Sequence, residues 1–171
     1  MRFNLFVSKI EDIKVIQKFS ERTNTLCGQT FEDLTFLPYQ VLKHTIPALI
    51  NDSKFEKAYH LILNYKKKTN FIRVKWQSNY VKLKFLFWIQ DQYIRIGELE
   101  EEYLSGTPDI KLINAGIREL DILGDVNMID VLCKGDPLKW KAMRQLPYSM
   151  LFEKQLRNTI EKRVFDKLNK K

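Results

Sequence analysis

Residues 70–104 read NFIRVKWQSNYVKLKFLFWIQDQYIRIGELEEEYL, with no proline and a single glycine, Gly97. Val74, Val81, Phe85, Trp88 and Gln92 trace one stripe at helical spacing, and Trp76, Tyr80, Leu83 and Phe87 trace a second. A helix that is apolar on two sides belongs in the middle of a bundle. The pattern therefore predicts one long, uninterrupted central helix over 70–104, and the rest of the chain is read outward from it.

Towards the C-terminus the chain is heavily punctuated. Ser105-Gly106-Thr107-Pro108, Gly124-Asp125, Gly135-Asp136-Pro137 and Leu146-Pro147 each supply a helix stop and the capped or proline-led start of the next helix. Short helices are expected at about 108–123, 126–134 and 137–145. A long amphipathic helix follows from about 148 to 169, with Leu151, Phe152, Leu156, Ile160, Val164 and Leu168 on its apolar side.

Towards the N-terminus, Ser53-Lys54-Phe55-Glu56 has capping-box spacing and opens a helix to about Lys67. Ser8-Lys9-Ile10-Glu11 has the same spacing and opens one to about Arg22. The stretch between, TNTLCGQTFEDLTF at 23–36, reads as a loop held down by Leu26, Phe31, Leu34 and Phe36, and residues 1–7 as a short strand or arm. LPYQVL at 37–42 returns as LPYSML at 146–151. Proline fixes φ near the helical value and lacks an N–H that a first helical residue cannot use, so both copies read as helix openings. Their flanks do not match, which argues for repeated start chemistry over a duplicated domain. Pro47 then implies a kink or an end in the helix that begins at Pro38.

A chain of 171 residues is read as one domain, 1–171, with room for a real core, and six glycines with five prolines leave little scope for turn-dense β architecture. The expected fold is an all-α multi-helix bundle with a long central helix, several short helices, a long C-terminal helix and basic tail over 148–171, and a short N-terminal strand. The densest apolar run, FLFWI at 85–89, is far short of the roughly 20 residues that span a bilayer, so no membrane partner is expected. MRFNLFVSKIED lacks the apolar core and cleavage site of a secretory leader, which points to a cytosolic, reducing setting. Cys27 and Cys133 have no metal-site spacing and read as buried or incidental thiols.

The patterns GxGxxG, GxxxxGK[ST], GxSxG and HExxH are missing from the sequence. His44 and His60 fall on different predicted helices, and Cys27 with His44 lacks a third, orienting group. No enzymatic activity, cofactor or metal is expected. Charge is more informative, because the net +8 is unevenly spread. Residues 54–84 carry nine basic side chains and one acidic, 85–133 three basic and ten acidic, and 134–171 eleven basic and four acidic.

Within the first basic block, Lys66, Lys67, Lys68, Arg73, Lys75, Lys82 and Lys84 alternate with Tyr65, Phe71, Trp76 and Tyr80. Basic residues among aromatics can clamp phosphates and stack bases, which makes the block a candidate nucleic-acid or partner contact. The competing reading is a rim of lysines snorkelling around buried aromatics. Glu98, Glu100, Glu101 and Glu102 form a candidate acidic contact face at the end of the central helix, where they oppose its macrodipole. Separate basic and acidic regions suit head-to-tail contacts between copies, which close into rings when the rotation permits.

The stretch EEYLSGTPDIKLINAGIRELDILGDVNMIDVLCKGDPLKWKAMRQLPYSMLFEKQL at 101–156 alternates short helices with Gly-Asp and Gly-x-Pro stops. In this texture it resembles small helical proteins of tailed bacteriophages, the crAss-like phages in particular. The resemblance implies a non-enzymatic ring subunit of the neck or portal vertex, a head–tail connector of the virion made in the host cytoplasm. Its implied partners are further copies of itself, the portal and tail components, with DNA nearby. A tail assembly chaperone, or a nucleic-acid-binding helical module using 54–84, are the alternatives.

Overall fold

The computed structural model of the protein describes residues 21–104, 119 and 124–169. The expected arm at 1–7, the helix opened by Ser8 and the helix at 108–123 lie outside the described residues. In chain order the elements are β1 (Thr25–Leu26), β2 (Gln29–Thr30), a π-helical turn Val41–Thr45 running into α1 (Ile46–Asn51), α2 (Phe55–Lys66), α3 (Phe71–Trp76), α4 (Asn79–Leu104), α5 (Asp125–Leu132), a 3-10 turn Pro137–Lys139, α6 (Trp140–Arg144) and α7 (Tyr148–Leu168). The fold is the all-α class expected, with a long central helix, a long C-terminal helix and a short two-stranded sheet.

Three local expectations need correcting. The run 70–104 is not one helix: the backbone turns extended at Gln77 (φ −63°, ψ 143°), ending α3, and Ser78 Oγ then accepts the Val81 N–H at 3.3 Å as the cap of α4. The described strands lie at 25–26 and 29–30, inside the stretch read as a loop. There Cys27 (φ 52°) and Gly28 (φ 77°) form a two-residue turn of the I′ kind and bring Thr25 opposite Thr30 and Leu26 opposite Gln29. The capping box at Ser53 is not made. Ser53 instead sits in the left-handed region at φ 59° and closes α1: its N–H reaches Ile50 O at 2.9 Å, and the Lys54 N–H reaches Leu49 O at 2.7 Å. That pair of bonds is a Schellman motif with serine where glycine is usual.

Contacts gather the chain into two compact units. The described part of one comprises 21–34 and 41–95; that of the other comprises 35–40 and the described residues from 96 onward. In the first, Phe85 and Trp88 stack at 5.3 Å between centroids, Phe31 lies 5.9 Å from Phe85, and Tyr59 meets Phe85 edge-on at 5.6 Å. Leu42, Ile46, Ile62, Leu63, Val74 and Ile89 complete a buried core around these rings. Pro47 falls in the first turn of α1, directly after the π turn, so its missing N–H coincides with a change of hydrogen-bond register. The buried Tyr93 hydroxyl donates to Leu42 O in that turn at 2.5 Å, a side chain reaching into the helical ladder where the register shifts.

In the second unit the two Leu-Pro-Tyr copies meet. Pro38 and Pro147 form an antiparallel bridge; the Tyr39 N–H donates to Leu146 O and the Tyr148 N–H to Leu37 O, each at 2.9 Å. Proline has no N–H to offer, so the reciprocal bonds come from the tyrosine that follows it in each copy. The echo is therefore both helix-start chemistry and a pairing surface. Lys134 (φ 56°) closes α5 as Ser53 closes α1, with the Lys134 N–H on Val131 O and the Gly135 N–H on Asp130 O. Asp136 accepts the Leu138 N–H at 3.0 Å and starts the next turn, as its place before Pro137 suggests.

Candidate functional site

The first unit carries the basic, aromatic block. Helix α2 ends at Lys66, and the segment that follows is tied down from within: Thr69 N–H donates to Asn64 Oδ1 at 2.7 Å, His60 Nε2–H to Thr69 O at 2.7 Å, and Gln29 Nε2–H to Thr69 Oγ1 at 2.6 Å. Asn70 then caps α3, accepting from the Ile72 N–H at 3.0 Å. These bonds fix the corner that exposes Lys67 and Lys68, and they give His60 a structural role.

The seven candidate cations divide into two groups. Lys66 donates to Thr30 O and lies over the Phe31 ring at 5.3 Å; Lys82 pairs with Glu56 at 2.7 Å; Lys84 pairs with Glu21 at 2.8 Å and lies over Tyr80 at 4.4 Å. Those three serve the protein's own structure. Lys67, Lys68, Arg73 and Lys75 are exposed and face no carboxylate among the described residues, although Lys75 Nζ lies 5.4 Å from the centre of the Phe71 ring.

The reading of buried aromatics rimmed by lysines holds for Lys66 over the buried Phe31 but not for Trp76 and Tyr80. Trp76 is 84% exposed and Tyr80 59%, with Tyr65 and Ile72 also exposed. The second predicted stripe of the central helix is thus buried only at Phe87, because the chain turns at Gln77 and leaves Trp76 on a separate short helix. Residues of α2, α3 and the start of α4 line an open groove of about 680 Å³. Lys54, Lys57, Lys75 and Lys82 line it together with one acid, Glu56, which Lys82 already neutralises. Phe55, Tyr59, Phe71, Leu83 and Leu86 supply its apolar lining. Lys57 was not among the residues singled out from the sequence. Its spacing of three from Lys54 in the first turn of α2 is the signal that could have found it.

The acidic candidates divide as well. Glu98, Glu101 and Glu102 are exposed, while Glu100 is half-buried and accepts the Tyr148 hydroxyl at 2.8 Å. Burial, and then the negative charge of Glu100, push the Tyr148 phenol well above its ordinary range. Arg163 donates to Tyr103 O at 3.3 Å, placing a cation at the carbonyl end of α4 where the macrodipole favours one. Part of the contact implied by acids at a helix C-terminus is thus made within this unit.

Along α7 the burial fades. Tyr148 and Leu151 are buried and Phe152 and Leu156 half-buried, but Ile160, Val164, Phe165 and Leu168 are half or more exposed. Leu138, on the 3-10 turn, is 91% exposed.

The Cys27 thiol is pushed up by burial against the pull of Arg73 and Lys82, the opposite of the depressed value that activates a nucleophile. Among the described residues no three His, Cys, Asp or Glu side chains are placed to share a metal ion, and no helix is long and apolar enough to cross a membrane. Compared with protein-family models, curated proteins and solved structures, the chain matches none.

Proposed function

We infer that the protein is a non-enzymatic assembly subunit that works through contacts between copies of itself. The observation that carries this reading is the outer half of α7, where Ile160, Val164, Phe165 and Leu168 leave an apolar stripe in solvent at helical spacing. An apolar stripe of that kind left in solvent is the form of a partner surface. The occupant is a second copy of this chain, because charge supplies the match: Lys162 and Lys167 flank the stripe, while Glu98 and Glu102 stand exposed on α4. Contacts between two different faces are heterologous and build rings or chains. The resemblance to head–tail connector proteins of tailed phages gives this role its setting, a ring subunit beside the portal and tail in the virion.

Light scattering at low and high salt tests the reading. A multimer is expected, loosened by salt as charge-matched contacts are screened, and reduced to monomer by Phe165→Asp with Leu168→Asp. Those side chains are 64% exposed, so the paired change leaves the core intact. A protein that stays monomeric at every salt concentration overturns the reading.

A further inference from the structure

We propose that the groove between α2, α3 and the start of α4, together with the exposed Trp76 that ends α3, is a binding site for single-stranded nucleic acid. The proposal rests on the first unit alone and is independent of assembly through α7. Two lysines of the groove, Lys57 and Lys75, remain after Lys82 is matched to Glu56 and Lys54 to the exposed Asp52 at 2.8 Å. Lys57 and Lys75 face no carboxylate among the described residues. Cations left unmatched along an open groove are the part of a site that follows a phosphate backbone.

Phosphate attraction alone would suit any polyanion; the aromatics choose among them. Trp76 follows Lys75 at the end of α3 and is 84% exposed, so almost none of its apolar area is used by the fold. Ile72 lies one helical turn before it, and Tyr80, 59% exposed, follows across the corner. Phe55 and Phe71 add ring surface inside the groove. Bases of an unpaired strand have free faces that stack on such rings, whereas duplex DNA keeps its bases stacked internally. An acidic polypeptide would satisfy the lysines and leave Trp76 without a planar partner. The groove, at about 680 Å³, has the volume of a drug-sized ligand pocket, a space for one or two nucleotides rather than a double helix.

The test is fluorescence anisotropy with a labelled oligothymidylate about 12 nucleotides long, with a duplex of equal length and poly-glutamate as competitors. The intact protein binds the single strand in preference to both competitors, and affinity falls with salt. Trp76→Ala weakens binding about 5- to 150-fold, the range of one lost stacking contact, and Trp76→Phe restores much of it. Lys57→Gln with Lys75→Gln flattens the dependence of log affinity on log salt by about 0.7 for each lysine removed. All of these positions are exposed, so unchanged far-ultraviolet circular dichroism accompanies each variant. Equal binding of duplex or poly-glutamate, or wild-type affinity in Trp76→Ala, overturns the proposal. The Phe165→Asp, Leu168→Asp variant binds the strand as well as the parent protein, which separates failure of this site from failure of the assembly surface.

Discussion

A single exposed residue shows how this chain ends its helices. Ser53 holds a left-handed conformation at φ 59° so that Ser53 and Lys54 can return hydrogen bonds to the last turn of α1. A side chain makes that region costly by about 1 kcal/mol relative to glycine, and the position is exposed, so nothing else needs the serine. Ser53→Gly is expected to raise stability by about 0.5–1 kcal/mol, less than the full strain because glycine also frees the unfolded chain; urea unfolding with an unchanged m-value checks it. The Ser-x-x-Glu spacing read as a helix start was misleading for a physical reason. The same serine cannot close one helix in the left-handed region and cap the next in an extended one, and with α1 ending only residues away, the closing bonds prevail.

At the scale of elements, the long helix was legible and its starting point was not. Periodicity carries no information at Gln77 and Ser78, since the apolar stripes of α3 and α4 happen to run in register across the break. The cue was Ser78 followed by a helical run, a cap signature hidden inside a pattern that looked continuous. Ser78→Ala is expected to cost about 1 kcal/mol by leaving the Val81 N–H without its acceptor, seen as a lower thermal midpoint with no loss of helix elsewhere. The same break decides the candidate site. It separates Trp76 from the buried stripe of α4 and leaves that ring 84% exposed. Which lysine pairs with which acid depends on contacts such as Lys84 with Glu21, far apart in sequence. Spacing along one chain does not encode them.

The whole molecule has a common response to alkali. Tyr39, Tyr59, Tyr93 and Tyr148 are all held protonated in the fold, burial being the largest cause in each, with negative charge from Asp125 and Glu100 adding to it at Tyr39 and from Glu100 at Tyr148. In the unfolded chain they release their protons near pH 10. Below that pH both states are protonated and these groups leave stability unchanged. Above about pH 10 the unfolded state sheds protons that the folded state keeps, so stability falls as pH rises. Unfolding followed by circular dichroism from neutral to strongly alkaline pH should show a plateau and then a decline. Tyrosinate absorbance from these four should appear together with the loss of structure, and tyrosinate forming well before unfolding would contradict their burial.

The reciprocal bridge between Pro38 and Pro147 also bears on the order in which the chain can acquire its structure. As the polypeptide leaves the ribosome, residues 21–34 and 41–95 are complete while the partner of 35–40 has yet to be made. The carbonyls of Thr35 and Leu37 wait for the N–H groups of Ser149 and Tyr148. One unit can form during synthesis from the residues already present, but the other closes only once the second Leu-Pro-Tyr has emerged, a late and long-range step of the kind that slows folding. Until then Tyr39 and Leu37, buried in the finished protein, are left in water, and the nascent chain passes through an interval in which it is most open to chaperones and to error.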